Sequence, residues 1–378
     1  MKKKSIVAAI SALSLIVSMN TGIGSVFAGE QSTVPGTAKQ PFVVTDGLFD
    51  QTKTESDLGL PKIEGAETVT VFTATDDTDH YCNGVVMTEF KGKLYTQWQS
   101  SAKDEDAEDT WVAYSVSDDN GATWSEPKVL VPTIDNGYCS SGGWFVSGDT
   151  LVSYINVWYS DTTPRGGFAY YVESTDGEHW SEMKPVLMKD GTPMEGIIEQ
   201  DPHVLASGRI VNAAHFQPGL FAYPIYTDDP SGTKGWVKAQ YTCMEQGEGA
   251  TTSREMEPSL FVNEDGTIVM TFRDQNSSFV RLAAISTDQG ETWSETVSTN
   301  MPDCRAKQSA GNLPDGTAYL VGCSVNNKGR WPLTITLSSD GKTFDTAYVL
   351  RTHDEFPELK YTGKAKRLGF VEKESHNA

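Results

Sequence analysis

Arginine is absent before Arg165, so each later one is a marked position in the chain. Arg165, Arg273 and Arg330 come from well-separated segments, and a guanidinium offers a planar fork of donors that matches two carboxylate oxygens and stays charged at any working pH. Such residues grip an anionic group. Tyr361 brings a phenol, which ionises near pH ~10 and becomes a useful nucleophile only when a neighbouring carboxylate takes its proton. Glu257 and the run Asp104-Glu105-Asp106-Ala107-Glu108-Asp109 supply carboxylates for acid and base work. Each also has a plain structural reading: Glu257 and Arg273 pairing across a sheet, Arg330 on a rim, the acidic run as a solvated surface. His80, His203 and His215 are further proton acceptors, each equally readable as a hydrogen-bonded core or rim residue.

Other chemistries lack their motifs. There is no G-x-S-x-G elbow and no phosphate-binding G-x-x-x-x-G-K-[ST]. The five cysteines, Cys82, Cys139, Cys243, Cys304 and Cys323, are odd in number and scattered, with no C-x-x-C, so neither a disulfide framework nor a zinc site is expected. Cys304 and Cys323 remain candidates for pairing from neighbouring strands. No metal and no cofactor is expected.

These residues need a scaffold, and a repeat supplies it. Ser117-Asp118-Asp119-Asn120-Gly121-Ala122-Thr123-Trp124 recurs as Ser286-Thr287-Asp288-Gln289-Gly290-Glu291-Thr292-Trp293. Shorter copies lie at 174–180 and 338–344, and a degenerate one at 227–236. Asp119, Asp176, Asp229, Asp288 and Asp340 mark steps of 57, 53, 59 and 52 residues. Each copy sits between strand-like stretches and reads as a hairpin turn: Asp and Ser accept local N–H bonds, Gly takes positive φ, and Trp or Phe folds back as an apolar plug. These aspartates, and His179 among them, are structural. One unit every ~55 residues without helical periodicity means blades around an axis. Dividing residues 45–378 by that step predicts an all-β, six-bladed β-propeller, with the last blade incomplete or closed by an N-terminal strand around 68–73.

Residues 1–28 read as an export signal, with Lys2, Lys3 and Lys4 before an apolar run and Val26-Phe27-Ala28 at its end. A secreted protein is expected, with a polar leader at 29–55 and the propeller at 56–378. The 51 acidic against 30 basic side chains give a net charge of −21, a field that repels nucleic acid and anionic membranes. Neither nucleic-acid binding nor membrane insertion is expected. An anionic ligand therefore requires a local basic pocket.

With Asp boxes at this spacing, the chain resembles the sialidase superfamily of BNR-repeat propellers. Glu257, Asp265-Gly266 and Arg273 follow the family's order of glutamate, Asp-Gly turn and arginine eight residues later. Arg330 precedes Ser338 by eight residues, within Arg330-Trp331-Pro332-Leu333-Thr334, as a second family arginine does. Tyr361 stands about thirty residues further on, at the place of the family's tyrosine nucleophile. The resemblance implies hydrolysis of a terminal acidic, sialic acid-like sugar from a glycan. Tyr361 would be nucleophile, Glu257 its base, Asp106 (or Asp109) the acid/base, and Arg273 and Arg330 carboxylate ligands. One departure stands out: the family's first arginine is replaced here by Cys82, within His80-Tyr81-Cys82-Asn83-Gly84.

That departure keeps two alternatives open. Propeller lyases that cleave beside a uronic acid have a similar layout, with His80 as first candidate base and Arg165 or Arg273 neutralising the carboxylate. A non-catalytic glycan-binding propeller is the other. Trp144, Trp158 and Trp331 are candidates for stacking on sugar rings.

Overall fold

The computed structural model describes residues 34–54, 56–74, 78–102 and 104–355. The export-signal segment and Tyr361 lie outside the described residues.

Period-two alternation between the turns produces antiparallel sheets, each of which exposes two apolar faces that only neighbouring sheets can cover. Blade one contains Tyr81–Phe90, Lys93–Ser101, Trp111–Ser117 and Lys128–Val131. Blade two contains Gly137–Ser147, Thr150–Tyr159, Phe168–Ser174 and Lys184–Pro185. Blade three orders Gly196–Ile197, Ile210–Phe216, Phe221–Thr227 and Val237–Lys238, with His203–Val204 also pairing to its second strand. Blade four is Glu255–Val262, Ile268–Asp274, Val280–Ser286 and Val297–Pro302. Blade five is Ser309–Asn312, Ala318–Gly322, Leu333–Ser338 and Thr346–Arg351.

The fold is an all-β propeller, but five blades are present among the described residues rather than the expected six. Dividing length by repeat counted residues 45–80 as blade material. The described residues of that stretch form no strand; just before it Val43–Val44 pairs in parallel with Thr343–Phe344, and within it Lys62 bridges Val349. Residues 68–74 form no strand. Within the stretch read as a leader, Phe42, Val44 and Phe49 are buried, in one apolar cluster with Phe261, Val269, Leu320 and Phe344 of blade four and the blade-five region. Asn300 locks this strap by accepting from Val44 N (2.8 Å) and donating to Val44 O (2.7 Å). Val71 and Phe72 cover Trp98 and Trp111 of blade one.

Polar side chains on the second strands tie each blade to the next. Gln97 donates to Gly143 O (2.8 Å), Asn156 donates to Ile198 O (2.7 Å) and accepts from Ile198 N (2.9 Å), and Thr271 donates to Gln308 Oε1 (3.0 Å). Buried polar groups must be paired, so these bonds fix the register between blades as well as holding them.

The repeated turns show the expected local bonding. Asp288 accepts from Ser286 Oγ (2.8 Å) and Thr292 N (2.9 Å), while Ser286 Oγ accepts from Gly290 N (2.9 Å). Trp293 Nε1 closes the turn onto Gly290 O (3.0 Å). The turn glycines of blades two to five, Gly177, Gly232, Gly290 and Gly341, also meet the preceding blade. Gly177 has φ +75°, and a Cβ there would lie 2.1 Å from Tyr95 Oη; Gly232 has φ +67°, and its Cβ would lie 2.7 Å from Phe145. Glycine is required at both for backbone conformation and for contact.

All five cysteines are free thiols. Cys304 and Cys323 are adjacent, joined by a backbone bond from Cys304 N to Cys323 O (3.2 Å). No helix among the described residues is long and apolar enough to cross a membrane.

Candidate active site

The innermost strands carry irregularities at one end. Register shifts fall at Asn83/Val86 in blade one, Ser141/Gly143 in blade two and Met256/Ser259 in blade four. A bulge bends the strand and re-aims a side chain. Glu257 sits in such a bulge with φ +51°, a conformation that disfavours a residue with a Cβ and is found at sites where geometry outranks local comfort.

The residues at these irregularities line one cavity of about 460 Å³. Its floor comes from successive inner strands and the residues flanking them: Asn83, Ser140 and Glu257 within strands, Glu199 just after one and Lys307 just before one. Its wall comes from the connections between second and third strands: Asp106, Arg165, Leu220, Gln275 and Arg330. The wall residues are spaced 59, 55, 55 and 55 apart, so the repeat that builds the blades also brings one residue from each to the cavity wall.

Glu257 and Arg273 do pair, as the plain reading had it: Arg273 Nη1 lies 3.1 and 3.0 Å from the two Glu257 oxygens, and Nη2 donates to Gln275 Oε1 (2.8 Å). Both also face the cavity. His215 is fully enclosed beneath them. Its Nε2 accepts from Glu257 N (3.2 Å) and lies 3.2 Å from Glu199 Oε2.

The two glutamates divide the charge unequally. Burial opposes ionisation of Glu199, but Lys307, the neighbouring His215 and Arg273 outweigh it and hold its pKa down to about 2. Glu257 shifts the other way, raised by burial and then by the negative charge of Glu199, against the pull of Arg273, Lys307 and His215. Of this coupled pair, Glu199 stays charged and Glu257 is the one poised to exchange a proton.

Across the cavity, Arg165 Nη2 donates to Asp106 (2.5 Å) and to Tyr138 Oη (2.6 Å), and Tyr138 Oη donates to Asp106 (3.0 Å). Arg165 also lies over the Trp158 ring at 4.7 Å, and Trp158 stacks on Tyr138 with centroids 5.9 Å apart. An aromatic face with a cation and a carboxylate beside it suits one face of a sugar ring.

The cavity therefore brings together Asp106, Arg165, Glu257, Arg273 and Arg330. It does not include His80, although the adjacent Tyr81 and Asn83 line it. Cys82 is likewise absent from the lining. Of the tryptophans, Trp158 lines the cavity, Trp144 is buried in the core, and Trp331 packs edge-on against His353. His203 lines a separate cavity with Tyr319 and Asn263, and burial lowers its pKa to about 4. His179 bonds Asp176 within its turn (2.7 Å). Sequence reasoning missed Glu199, Lys307 and Tyr138. The signal was available, because stepping about one repeat from Asn83 reaches Ser140, Glu199 and Glu257 in turn.

A family model described as "BNR repeat-like domain" matches residues 92–367. The chain belongs to the BNR repeat-like domain family. Solved structures with the same sialidase-like fold include a protein of unknown function from Dyadobacter fermentans, 15% identical with TM-score 0.60, covering 77% of this chain and 88% of that one. The intramolecular trans-sialidase of Ruminococcus gnavus, in complex with oseltamivir carboxylate, is 15% identical with TM-score 0.57, over 75% of this chain and 88% of that one. The Hadza microbial sialidase Hz136 is 18% identical with TM-score 0.57; this BNR repeat-like protein is covered over 71% and spans 57% of that chain. No curated protein matches the sequence.

Proposed function

We propose that this BNR repeat-like protein is a secreted glycoside hydrolase of the sialidase type, which removes a terminal acidic sugar from a glycan. The observation that carries the reading is the convergence of Arg273, Arg330 and Lys307 with Glu257 and Asp106 in one cavity of a chain whose net charge is −21. A sugar carboxylate placed against Arg273 and Arg330 gains charge-assisted hydrogen bonds that a neutral sugar lacks. Lys307 adds a positive charge to a clamp that has Cys82 at the place of its first arginine.

In this reading Glu257 accepts the proton of the Tyr361 phenol as the phenolate attacks the anomeric carbon, and Asp106 gives a proton to the departing glycosidic oxygen. Water then releases the sugar, with Asp106 taking a proton back. Glu199 and His215 act as positioning residues: they hold the backbone and the charge state of Glu257.

Elimination beside a uronic acid is the second reading. It is weakened in its first form, since His80 does not line the cavity, but His215 lies in it with Arg273.

Incubating the purified protein with sialosides and with uronate-bearing oligosaccharides separates the readings. Release of free acidic sugar, lost in Arg273→Ala, supports hydrolysis. A new ultraviolet absorbance from an unsaturated product would overturn hydrolysis in favour of elimination. Binding without any product would leave a glycan-binding propeller.

A further inference from the structure

Beside the main cavity lies a smaller recess of about 340 Å³, lined by Arg273, Cys304, Arg305, Lys328 and Arg330. The two share Arg273 and Arg330; Arg305 and Lys328 belong to the recess alone. Their electrostatics differ in kind. The main cavity sets Arg165, Arg273, Lys307 and Arg330 against Glu105, Asp106, Glu199 and Glu257. The recess has four cations and no carboxylate in its lining.

Arg273 is paired with Glu257, but no ion pair involves Arg305, Lys328 or Arg330 among the described residues. The chain carries 51 acidic side chains, so a random surface arrangement would have placed carboxylates among them. Three clustered cations without counter-charge repel one another, which is a local cost unless an anion joins them.

The backbone is also committed to this arrangement. Arg305 has φ +60°, and its N–H is held by Asp303 Oδ2 at 2.9 Å. Arg305 Nε is buried and has no hydrogen-bond partner. Such a donor gains from an acceptor that a bound group supplies. The connection that carries Lys328 and Arg330 is tied down where Cys323 Sγ donates to Arg330 O (3.0 Å), so Arg330 is presented from a fixed base.

We propose that this recess is a second anion subsite that takes a tetrahedral oxyanion, a sulfate or phosphate ester, borne by the same glycan whose carboxylate meets Arg273 in the main cavity. Two guanidinium forks and an ammonium offer more donors than the two oxygens of a carboxylate can accept, whereas a tetrahedral ester presents three oxygens. The substrate class is thus a multiply charged acidic glycan. Only the link to a sugar in the main cavity rests on the hydrolase reading; the oxyanion site itself does not.

The test titrates the full chain calorimetrically with inorganic sulfate, inorganic phosphate and acetate at matched ionic strength. Wild type should bind sulfate or phosphate and prefer it to acetate, and the inorganic anion that binds more tightly tells which ester the recess takes. In Arg305→Ala/Lys328→Ala that affinity should fall roughly tenfold or more, while binding of a singly charged sialoside is unchanged. Arg273→Ala should show the larger loss on the sialoside. Far-ultraviolet circular dichroism shows that the double variant is folded, and Arg305→Lys gives a second, charge-retaining variant with a smaller loss. Equal binding of sulfate, phosphate and acetate, or a double variant that binds sulfate as wild type does, would overturn the proposal. Oxyanion binding with no effect on any acidic glycan would leave the subsite standing and refute the hydrolase reading instead.

Discussion

Replacing Arg273 by alanine should destabilise the protein by an amount that depends on pH. Its guanidinium lies 3.0–3.1 Å from both oxygens of Glu257, and the two side chains are only 15% and 17% exposed. Removing one partner of a buried ion pair costs ~3–5 kcal/mol because the other charge is left uncompensated. Glu257 has an escape: it can take up a proton, at about 1.36 kcal/mol for each unit by which the pH exceeds its unfolded-state pKa. That reference value is 4.5. The unpaired-charge penalty is therefore capped near 0.7 kcal/mol at about pH 5 and near 4 kcal/mol at about pH 7.5. The sign follows from linkage: a carboxyl whose folded pKa is raised holds its proton more tightly in the folded state, so the variant is most stable at low pH and loses stability as pH rises. Lys307 and His215 still face Glu257, which keeps the expected loss below the cap, at about 2–3 kcal/mol near neutral pH. Lost packing of the arginine stem is the same at both pH values and cancels in the comparison. Urea unfolding of wild type and variant at the two pH values measures the difference directly. The pH dependence should vanish in Arg273→Ala/Glu257→Gln. An identical loss at both pH values, or a pH dependence that survives in the double variant, would refute the reasoning.

Glu257→Gln should lower turnover of an acidic glycoside by about a hundredfold or more, as steady-state rates would show, and should also lower the urea midpoint, because the Arg273 guanidinium loses its buried counter-charge. Wild-type turnover should rise with pH through a midpoint above the ordinary glutamate value, because Glu257 must be ionised to act as base and its pKa is raised. Lys307→Met removes a charge that opposes this shift, so the rate–pH profile should move further upward; an unchanged profile would exclude Lys307 from the site's electrostatics. Trp236→Ala should cost ~3–5 kcal/mol in chemical unfolding, since the ring is fully buried and donates to Gly232 O at 2.8 Å. Gly177→Ala should destabilise well beyond Gly47→Ala: both have φ near +75°, but only at Gly177 would the new Cβ meet another blade, and comparable unfolding midpoints would contradict that packing.

The turns and the central site residues were legible for different reasons. Asp119, Asp176, Asp229, Asp288 and Asp340 act through bonds to their own neighbours, so the local sequence carries the whole signal. Glu257, Arg273 and Arg330 were singled out by the resemblance of their spacing to a family pattern, and all three line the cavity. The blade count was not, because residues 34–80 carry apolar side chains without strand alternation and spend them on covering existing blades: Phe42 and Val44 on blades four and five, Phe72 on blade one. Lys307 and Glu199 escaped notice because neither stands in a motif. Glu199 is presented by a stretch held through Asn156 and Asn212, which are 43 and 13 residues away in sequence, and only the fold reveals that support. His80 was the first candidate base, but it precedes the first strand of blade one and does not line the cavity, whereas His215, on the second strand of blade three, does.

The central claim is that this cavity selects a sugar by its negative charge. Calorimetric titration of wild type and Arg273→Ala with a sialoside and with its carboxyl methyl ester tests it. Esterification should weaken binding to wild type by roughly ten- to a hundredfold and should matter far less in the variant. Equal affinity of wild type for acid and ester would contradict the account.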